Sequence, residues 1–419
     1  MLWFIAFTDY SQDYALYLGT TGGDAKISSP FNAFSSVIVG LLFLAGIITF
    51  LCGRSGYRPQ KEIRLFIILF MLSTLWGILV GAIKDVPLNY LIGDSRNSAC
   101  YIMLFAIGGA CRYLNIDTMR RMFMLTGLVL FIKLVLAVLA LALLFGGGFS
   151  WKYLFKLSNF FPLMLFVALS QFVISNYRRD KFMYAVFALM AAFGIFAAQA
   201  RGIFLGTLVG GIVLSVGLFR QKNSYRVVML IILILCIGLG AGYYMQDDIT
   251  KSFGYWGEND DTFTRGLDYR LRQANMLRVM FKENWFAGAG LGSYDPTFEG
   301  YEEWLPRPYL VELEFNNLLA KLGVVGFSLW IGAFISLIIG SIRSAKRSIT
   351  LSHRMFIYSL AAGLISLLAQ SAVQTGYSSI SFHLYVIFML FSLSLGNRGT
   401  SQLKMSNANI VHIPKGIYQ

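Results

Sequence analysis

The chain has 419 residues, of which 57% are hydrophobic and only 13% are charged. A soluble domain carries about 25% charged residues, so these figures and a mean hydropathy of +0.63 exclude an ordinary soluble protein and predict an all-α integral membrane protein. The formal charge of +14 would suggest nucleic acid binding in a soluble protein, but here it collects in short clusters between apolar runs and predicts no nucleic acid partner.

Apolar runs long enough to cross a bilayer recur along the chain. A transmembrane helix needs about 20 mostly apolar residues, and such runs predict spans at 31–52, 63–83, 97–115, 122–146, 157–176, 182–200, 202–219, 227–245, 315–341, 356–375 and 381–396. We therefore predict a bundle of about 11 or 12 transmembrane helices embedded in membrane lipid. The apolar opening Met1 to Ala6 is short and has no basic flank, so it predicts no cleavable signal peptide.

Basic clusters follow every second span, and they predict the orientation of the chain. Short cytoplasmic loops carry an excess of lysine and arginine, so the N-terminal segment is expected outside. The last residues, 397–419, are then a cytoplasmic tail. The clusters are Arg54, Arg58, Lys61 and Arg64; Arg120 and Arg121; Arg178, Arg179 and Lys181; Arg220, Lys222 and Arg226; and Arg343, Lys346, Arg347 and Arg354.

One polar connection, residues 246–314, is much longer than the others and is expected on the outer side. It divides the chain into N-terminal transmembrane helices (1–245), an extracytoplasmic loop and C-terminal transmembrane helices (315–396). Apolar residues at helical spacing predict an amphipathic helix from Leu267 to Phe281 within it. At about 100° per residue, Arg270 and Arg278 share the apolar, docking face, whereas Arg272 lies opposite.

Histidine and cysteine are too sparse for a metal site. The chain has only three histidines, His353, His383 and His412, and its four cysteines show no CxxC spacing. We therefore expect neither a metal nor a cofactor. The glycines at 288, 290 and 292 lack the spacing of a nucleotide-binding loop and predict a tight turn.

The arginines on the expected outer side are the first candidate functional residues. Arg201 is almost the only polar residue between the sixth and seventh spans, and Arg265, Arg270 and Arg272 open the loop helix. The planar guanidinium suits phosphate because it donates two parallel hydrogen bonds. A lipid-linked diphosphate is therefore a candidate ligand. Snorkelling of Arg201 at the interface, lipid head groups, or ion pairs with nearby aspartates are the alternatives.

Two carboxylates precede the ninth span and are the candidate general bases. Glu312 and Glu314 lie two residues apart at a helix entry. A carboxylate at a partly buried mouth can accept a proton from a reacting hydroxyl group. The alternative is that both carboxylates meet the positive end of the helix dipole. Single ionisable residues within spans, His383 among them, are either functional or packed with a hydrogen-bond partner.

The order of these motifs resembles the O-antigen polymerase and ligase superfamily of bacterial envelope glycosyltransferases. Gln199–Gly202 is similar to the family's arginine at a helix end. Arg270 precedes the segment Asn284–Tyr294, which resembles the family's "N-P-(L/F)-x-G-x-G-x-G" turn with Trp285 in place of proline. The segment Glu312–Gly326 is similar to the family's "x-(H/E)-x-x-(N/Y)-x-x-L-x-x-x-G-x-x-G" return.

The resemblance implies a metal-independent glycosyltransferase in the bacterial inner membrane with its active site facing the periplasm. The donor would be an oligosaccharide on undecaprenyl diphosphate, with a chain-length regulator as a further candidate partner. Arg201 and Arg270 would bind the diphosphate with support from Arg265 and Arg272, Arg270 would also assist catalysis, and Glu314 or Glu312 would be the base.

The absence of a histidine at the return of the loop distinguishes between two activities within this superfamily. Its ligases typically carry a histidine at the return of the loop, where this chain has only glutamates. The resemblance therefore favours a polysaccharide repeat-unit polymerase, with an O-antigen ligase or a flippase of lipid-linked oligosaccharides as alternatives. The sugar, the linkage and the polymer, whether O-antigen, capsule or exopolysaccharide, stay open.

Overall fold

The computed structural model describes residues 44, 45, 48, 61–99, 101, 115–145, 160–198, 201–218, 260–294, 313–348, 350–372, 382–383, 385–390 and 392–393. Within these ranges the regular structure is helical and no strand occurs. The helices with assigned bounds are α1 (Lys61–Ile83), α2 (Leu88–Ala99), α3 (Ile116–Phe145), α4 (Phe161–Ile174), α5 (Arg178–Ala198), α6 (Arg201–Leu218), α7 (Asp260–Glu283), α8 (Glu314–Arg347) and α9 (Leu351–Ser371).

The protein is an all-α membrane protein, as predicted. In the described part, α1, α8 and α9 are long and apolar enough to cross a membrane, and α4 and most of α6 are shorter apolar helices. The predicted span at 227–245, and all but three residues of the one at 31–52, lie outside the described residues. The full number of spans therefore stays a prediction.

The structure changes the predicted elements at two places. The predicted outer connection before residue 97 contains a helix, α2, whose polar sequence gave no apolar run to detect. The loop helix α7 begins at Asp260 and ends at Glu283, so it is longer at both ends than the predicted segment. Its first turns are too polar to extend the apolar repeat on which that prediction depended.

Helix ends with basic residues meet at one end of the bundle, which we call the basic end. Arg343 near the end of α8 donates to Glu62 at the start of α1 at 3.0 Å. Arg120 near the start of α3 donates to Gln171 at the end of α4 at 2.8 Å and also bonds Ser352 at the start of α9. The basic clusters that follow alternate predicted spans thus lie at the same end of the bundle. The basic residues on these helix ends and the neighbouring start of α5 are Lys61, Arg64, Arg120, Arg121, Arg178, Arg179, Lys181, Arg343, Lys346, Arg347 and Arg354.

The helix α6 packs closely against α9 through glycines. A Cβ atom at Gly206 would lie 2.5 Å from the Ser366 carbonyl oxygen, and one at Gly210 would lie 2.8 Å from that of Ala362. Small residues let helix backbones approach in this way. The pairing runs antiparallel, so continuing it along both helices brings the backbone of Arg201 level with Ser371. Both lie at the end of the bundle opposite the basic end, which we call the loop end.

Candidate active site at the loop end

The predicted glycine turn is present at the loop end. Gly288, Gly290 and Gly292 have φ angles of 87°, 94° and 77°. Residues with a Cβ atom rarely adopt such values, whereas glycine does so readily. The turn is also buried, because Cβ atoms at Gly288 and Gly290 would overlap the backbones of α8 and α1. Both the conformation and the space therefore require glycine.

Backbone hydrogen bonds join the turn to α8 at a break in that helix. Gly323 has φ 61° and ψ −175°, which interrupts the helical ladder. The carbonyls of Ala320 and Lys321 accept from the N–H groups of Ala289 and Gly290 at 2.9 and 2.8 Å. In exchange, the N–H of Val324 donates to a turn carbonyl, that of Trp285, at 2.9 Å. The backbone groups that the break removes from the helical ladder at these positions are therefore hydrogen-bonded to the turn, so they are not left unpaired.

The other side of the turn rests on α1. The N–H of Leu291 donates to the Gly77 carbonyl at 2.9 Å, and the indole N–H of Trp76 donates to the Ala287 carbonyl at 3.0 Å. A Cβ atom at Gly81 would lie 2.8 Å from the Leu291 carbonyl oxygen. The turn is therefore held between two helices that are long enough to cross a membrane.

A buried ion pair connects α2, the turn and α8. The ammonium of Lys321 lies 2.8 Å from Asp94 Oδ2, and the two side chains are 1% and 13% exposed. The same carboxylate oxygen accepts the N–H of Gly292 at 2.8 Å. A buried charge needs such partners. We did not predict this pair, although a lysine inside the predicted span 315–341 was a signal that a partner had to exist.

The loop helix α7 packs on the first turns of α8. Met276, Leu277 and Ala320 form one buried cluster, against which Met280, Phe281 and Leu313 pack. Leu277 and Phe281 thus lie on the docking face, as predicted, and Arg272 is exposed, as predicted.

The predicted position of Arg278 on the docking face is wrong, because this side chain is exposed. The true face includes Gln273 and Met276 at its centre and is rotated by roughly a quarter of a turn from the predicted one. The polar Gln273 hid this face from a prediction based on apolar spacing.

The candidate base Glu314 is the first residue of α8 and is only 3% exposed. Asn317 and Lys321 are also buried, and their spacing of three and four residues puts all three on one side of the helix. The buried start of α8 is therefore polar on the side that also carries the ion pair with Asp94.

The remaining predicted residues are described only by their backbone or not at all. Arg201 is the first residue of α6, and Arg265 and Arg270 lie within α7, but their side chains are outside the described residues, as is Glu312. The backbones of Arg201 and Glu314 lie at the same end of the bundle. Convergence of the arginine side chains on Glu314 stays a prediction.

The structure bears on possible metal ligands and on the two alternatives for His383. Among residues with described positions, no group of three or more metal-ligating side chains comes together. His383 is buried, with Nδ1 3.0 Å from the Tyr101 hydroxyl oxygen and the Phe382 ring nearby. Of the two alternatives for His383, this arrangement corresponds to a packed residue with a hydrogen-bond partner.

Residues 185–331 match the family model described as O-antigen ligase. The match supports an assignment of this part of the chain to the O-antigen polymerase and ligase superfamily. The matched segment runs from α5 into α8 and contains all six candidate residues, the three glycines of the turn and Lys321. No curated protein gives a significant match to the sequence. The family supports an activity of the O-antigen ligase or polymerase type on lipid-linked glycans in a bacterial inner membrane.

Proposed function

We propose that the protein is a polysaccharide repeat-unit polymerase that acts at the periplasmic face of the bacterial inner membrane. It transfers a glycan from undecaprenyl diphosphate to a hydroxyl group of an acceptor glycan. The observation that carries this choice is the buried carboxylate of Glu314 at the return of the loop, in a chain with no histidine between residues 246 and 326. A carboxylate is the group available there to accept a proton.

In the proposed reaction, the acceptor hydroxyl oxygen forms a bond to the anomeric carbon of the donor. The bond between that carbon and the phosphate oxygen breaks, and undecaprenyl diphosphate leaves with the electron pair. Glu314 accepts the hydroxyl proton, with Glu312 as the alternative base. Arg201 and Arg270 bind the departing diphosphate, and Arg265 and Arg272 add positive charge. Guanidinium groups can stabilise the developing charge without a metal.

The rigid surroundings of α8 support this role for Glu314. The glycine turn and Asp94 hold α8 at Ala320 and Lys321, within two turns of the helix start. A general base must be held within hydrogen-bond reach of the proton that it accepts. The frame around the helix can therefore position the carboxylate even though the loop is long.

The test is polymerisation by the purified full-length protein in lipid nanodiscs, supplied with undecaprenyl-diphosphate-linked repeat units. The wild type should form a ladder of polymers, and Glu314→Gln should lower the rate by about 100-fold or more. Glu283→Gln is the matched control, because Glu283 is exposed at the end of α7. Polymerisation by Glu314→Gln at the wild-type rate would remove the proposed base, and Glu312→Gln then tests the alternative.

An O-antigen ligase is the second candidate, because the matched family model carries that description. The same assay separates the candidates when a lipid A core acceptor is added. Transfer to that acceptor without growth of the repeat-unit chain would establish a ligase. With the protein in sealed vesicles in place of nanodiscs, movement of the lipid-linked glycan across the bilayer with no new glycosidic bond would establish a flippase and contradict both enzymes.

A further inference from the structure

A glutamine on the docking face of α7 is buried without a hydrogen-bond partner. Gln273 is 0% exposed, and neither its Oε1 nor its Nε2 atom has a partner among the described residues. A primary amide can donate two hydrogen bonds and accept two, and burying one unpaired is costly. Most buried side-chain polar groups are paired, so a fully unpaired amide requires an explanation.

The contacts between α7 and α8 give the position of this amide. Met276 and Leu277 share a buried cluster with Ala320, and two residues beyond the end of α7 the Trp285 carbonyl accepts the N–H of Val324. The two helices therefore run in the same sense at this contact. Gln273 precedes the contact by about one turn, which brings it level with the first turns of α8.

The first turns of α8, which are level with Gln273, carry other buried polar groups. Asn317 precedes Ala320 by three residues, and Glu314 precedes Asn317 by three. Both side chains are buried, and Glu314 is the base assigned under the proposed function. Gln273 thus lies beside the segment of α8 in which the reaction is proposed to take place.

The chemistry of the amide selects the class of ligand. An anion would accept from Nε2 and leave Oε1 unpaired, and it would be repelled by Glu314. A lipid tail would pair with neither atom. A sugar presents neighbouring hydroxyl groups, each of which can donate and accept. One sugar can therefore satisfy both ends of the amide.

We propose that Gln273 binds hydroxyl groups of the first sugar of the donor glycan. The inference rests on the proposed function and deepens it. Arg270, the proposed diphosphate ligand, lies three residues earlier in α7, which puts the two residues about one turn apart on neighbouring parts of one helix face. The first sugar is bonded directly to the diphosphate, so it lies within reach of a residue one turn from the phosphate ligand. Gln273 then helps to determine which donor sugar is accepted.

The test compares two probes, undecaprenyl diphosphate and the undecaprenyl-diphosphate-linked repeat unit, with the full-length protein and its Gln273→Met variant. The midpoint of thermal unfolding is measured with and without each probe, and KM and kcat are measured for the repeat unit. Without ligand, the variant should be as stable as the wild type or more stable, because an unpaired amide has been replaced by an apolar side chain of similar size.

With ligands, the wild type should be stabilised more by the glycan-bearing probe than by the bare diphosphate. The variant should respond equally to both probes, and its KM should rise about tenfold, the effect expected for lost hydrogen bonds. Asn275→Ala is the matched control, since Asn275 is exposed on the other side of α7. This control should show the same additional stabilisation by the glycan-bearing probe as the wild type, and the same KM.

Three results would overturn the inference. If Gln273→Met were less stable without ligand and still gained the full increment from the glycan, the amide would serve the fold and not the sugar. If the wild type polymerised repeat units and the variant did so with unchanged KM, the inference would fail while the proposed function stood. If the wild type neither bound nor polymerised the repeat unit, both would fall.

Discussion

The ion pair between Asp94 and Lys321 allows a prediction whose magnitude follows from burial. The ammonium is 1% exposed and the carboxylate 13%. Removing one partner of a buried pair costs about 3–5 kcal/mol. In Asp94→Asn the buried ammonium loses the carboxylate at 2.8 Å, so we expect a loss of about 3 kcal/mol, the lower limit of that range, because the site is not fully dry.

Removing the lysine should cost less than removing the aspartate. In Lys321→Met the remaining carboxylate is partly reached by water and still accepts the Gly292 N–H at 2.8 Å, so we expect about 2 kcal/mol. The double variant should cost less than the sum of the two single changes, by about 1 kcal/mol or more, because the residues interact directly.

The assay is hydrogen exchange of the purified protein, read at the amides of Ala289, Gly290 and Gly292, together with the free energy of unfolding. Loss of the pair should release these amides, because their acceptors lie on Asp94 and on α8. Glu62→Gln is the control, since its pair with Arg343 joins α1 to the other end of α8 but the arginine is 59% exposed. Such surface pairs contribute about 0–1 kcal/mol. If Asp94→Asn released the turn no more than Glu62→Gln does, the reasoning that the ion pair between Asp94 and Lys321 holds the turn would be refuted.

Three glycine substitutions give further tests. Gly290→Ala should abolish stable docking of the turn, since its φ is 94° and the new Cβ would overlap the backbone of Gly81; proteolysis within the loop and loss of polymer would report it. Gly206→Ala should separate α6 from α9, because the Cβ would lie 2.5 Å from the Ser366 carbonyl, and polymer yield should fall. Gly211→Ala in the same helix meets no atom within 4 Å and should keep activity and gain up to about 1 kcal/mol of stability; equal losses at positions 206 and 211 would contradict the reasoning.

Long apolar runs were sufficient to predict the helices that are apolar enough to cross a membrane, because lipid exposure requires such runs. The helices α1, α3, α4, α5, α6, α8 and α9 begin and end within a few residues of predicted spans. The search for apolar runs missed α2, which is joined to the turn and to α8 through Asp94. A polar helix that docks through one carboxylate leaves no periodic apolar pattern to read.

The candidate site was predicted in parts, and the reasons differ from residue to residue. The turn glycines could be recognised from their spacing, whereas the role of Glu314 as the base stays a proposal. The orientation of α7 could not be predicted, because its docking face is centred on Gln273. A prediction from apolar periodicity assigns a glutamine to the solvent side. The exchange of hydrogen bonds at Gly323 also escaped prediction, since a glycine in a helix is normally only a local weakness.

The helix pair α8–α9 connects the two halves of the proposed site. At the loop end, α8 carries Glu314 and supports α7, while α9 supports α6, whose first residue is Arg201. The two helices pack along each other and are joined by only three residues, 348–350, at the basic end. The separation between the proposed base and the proposed diphosphate ligand is therefore set by this helical hairpin. Substitutions in the 348–350 connection that move the two helices apart should lower polymer yield, even though they lie at the opposite end of the bundle. Substitutions at exposed positions of the helical hairpin that leave its packing intact should not lower polymer yield.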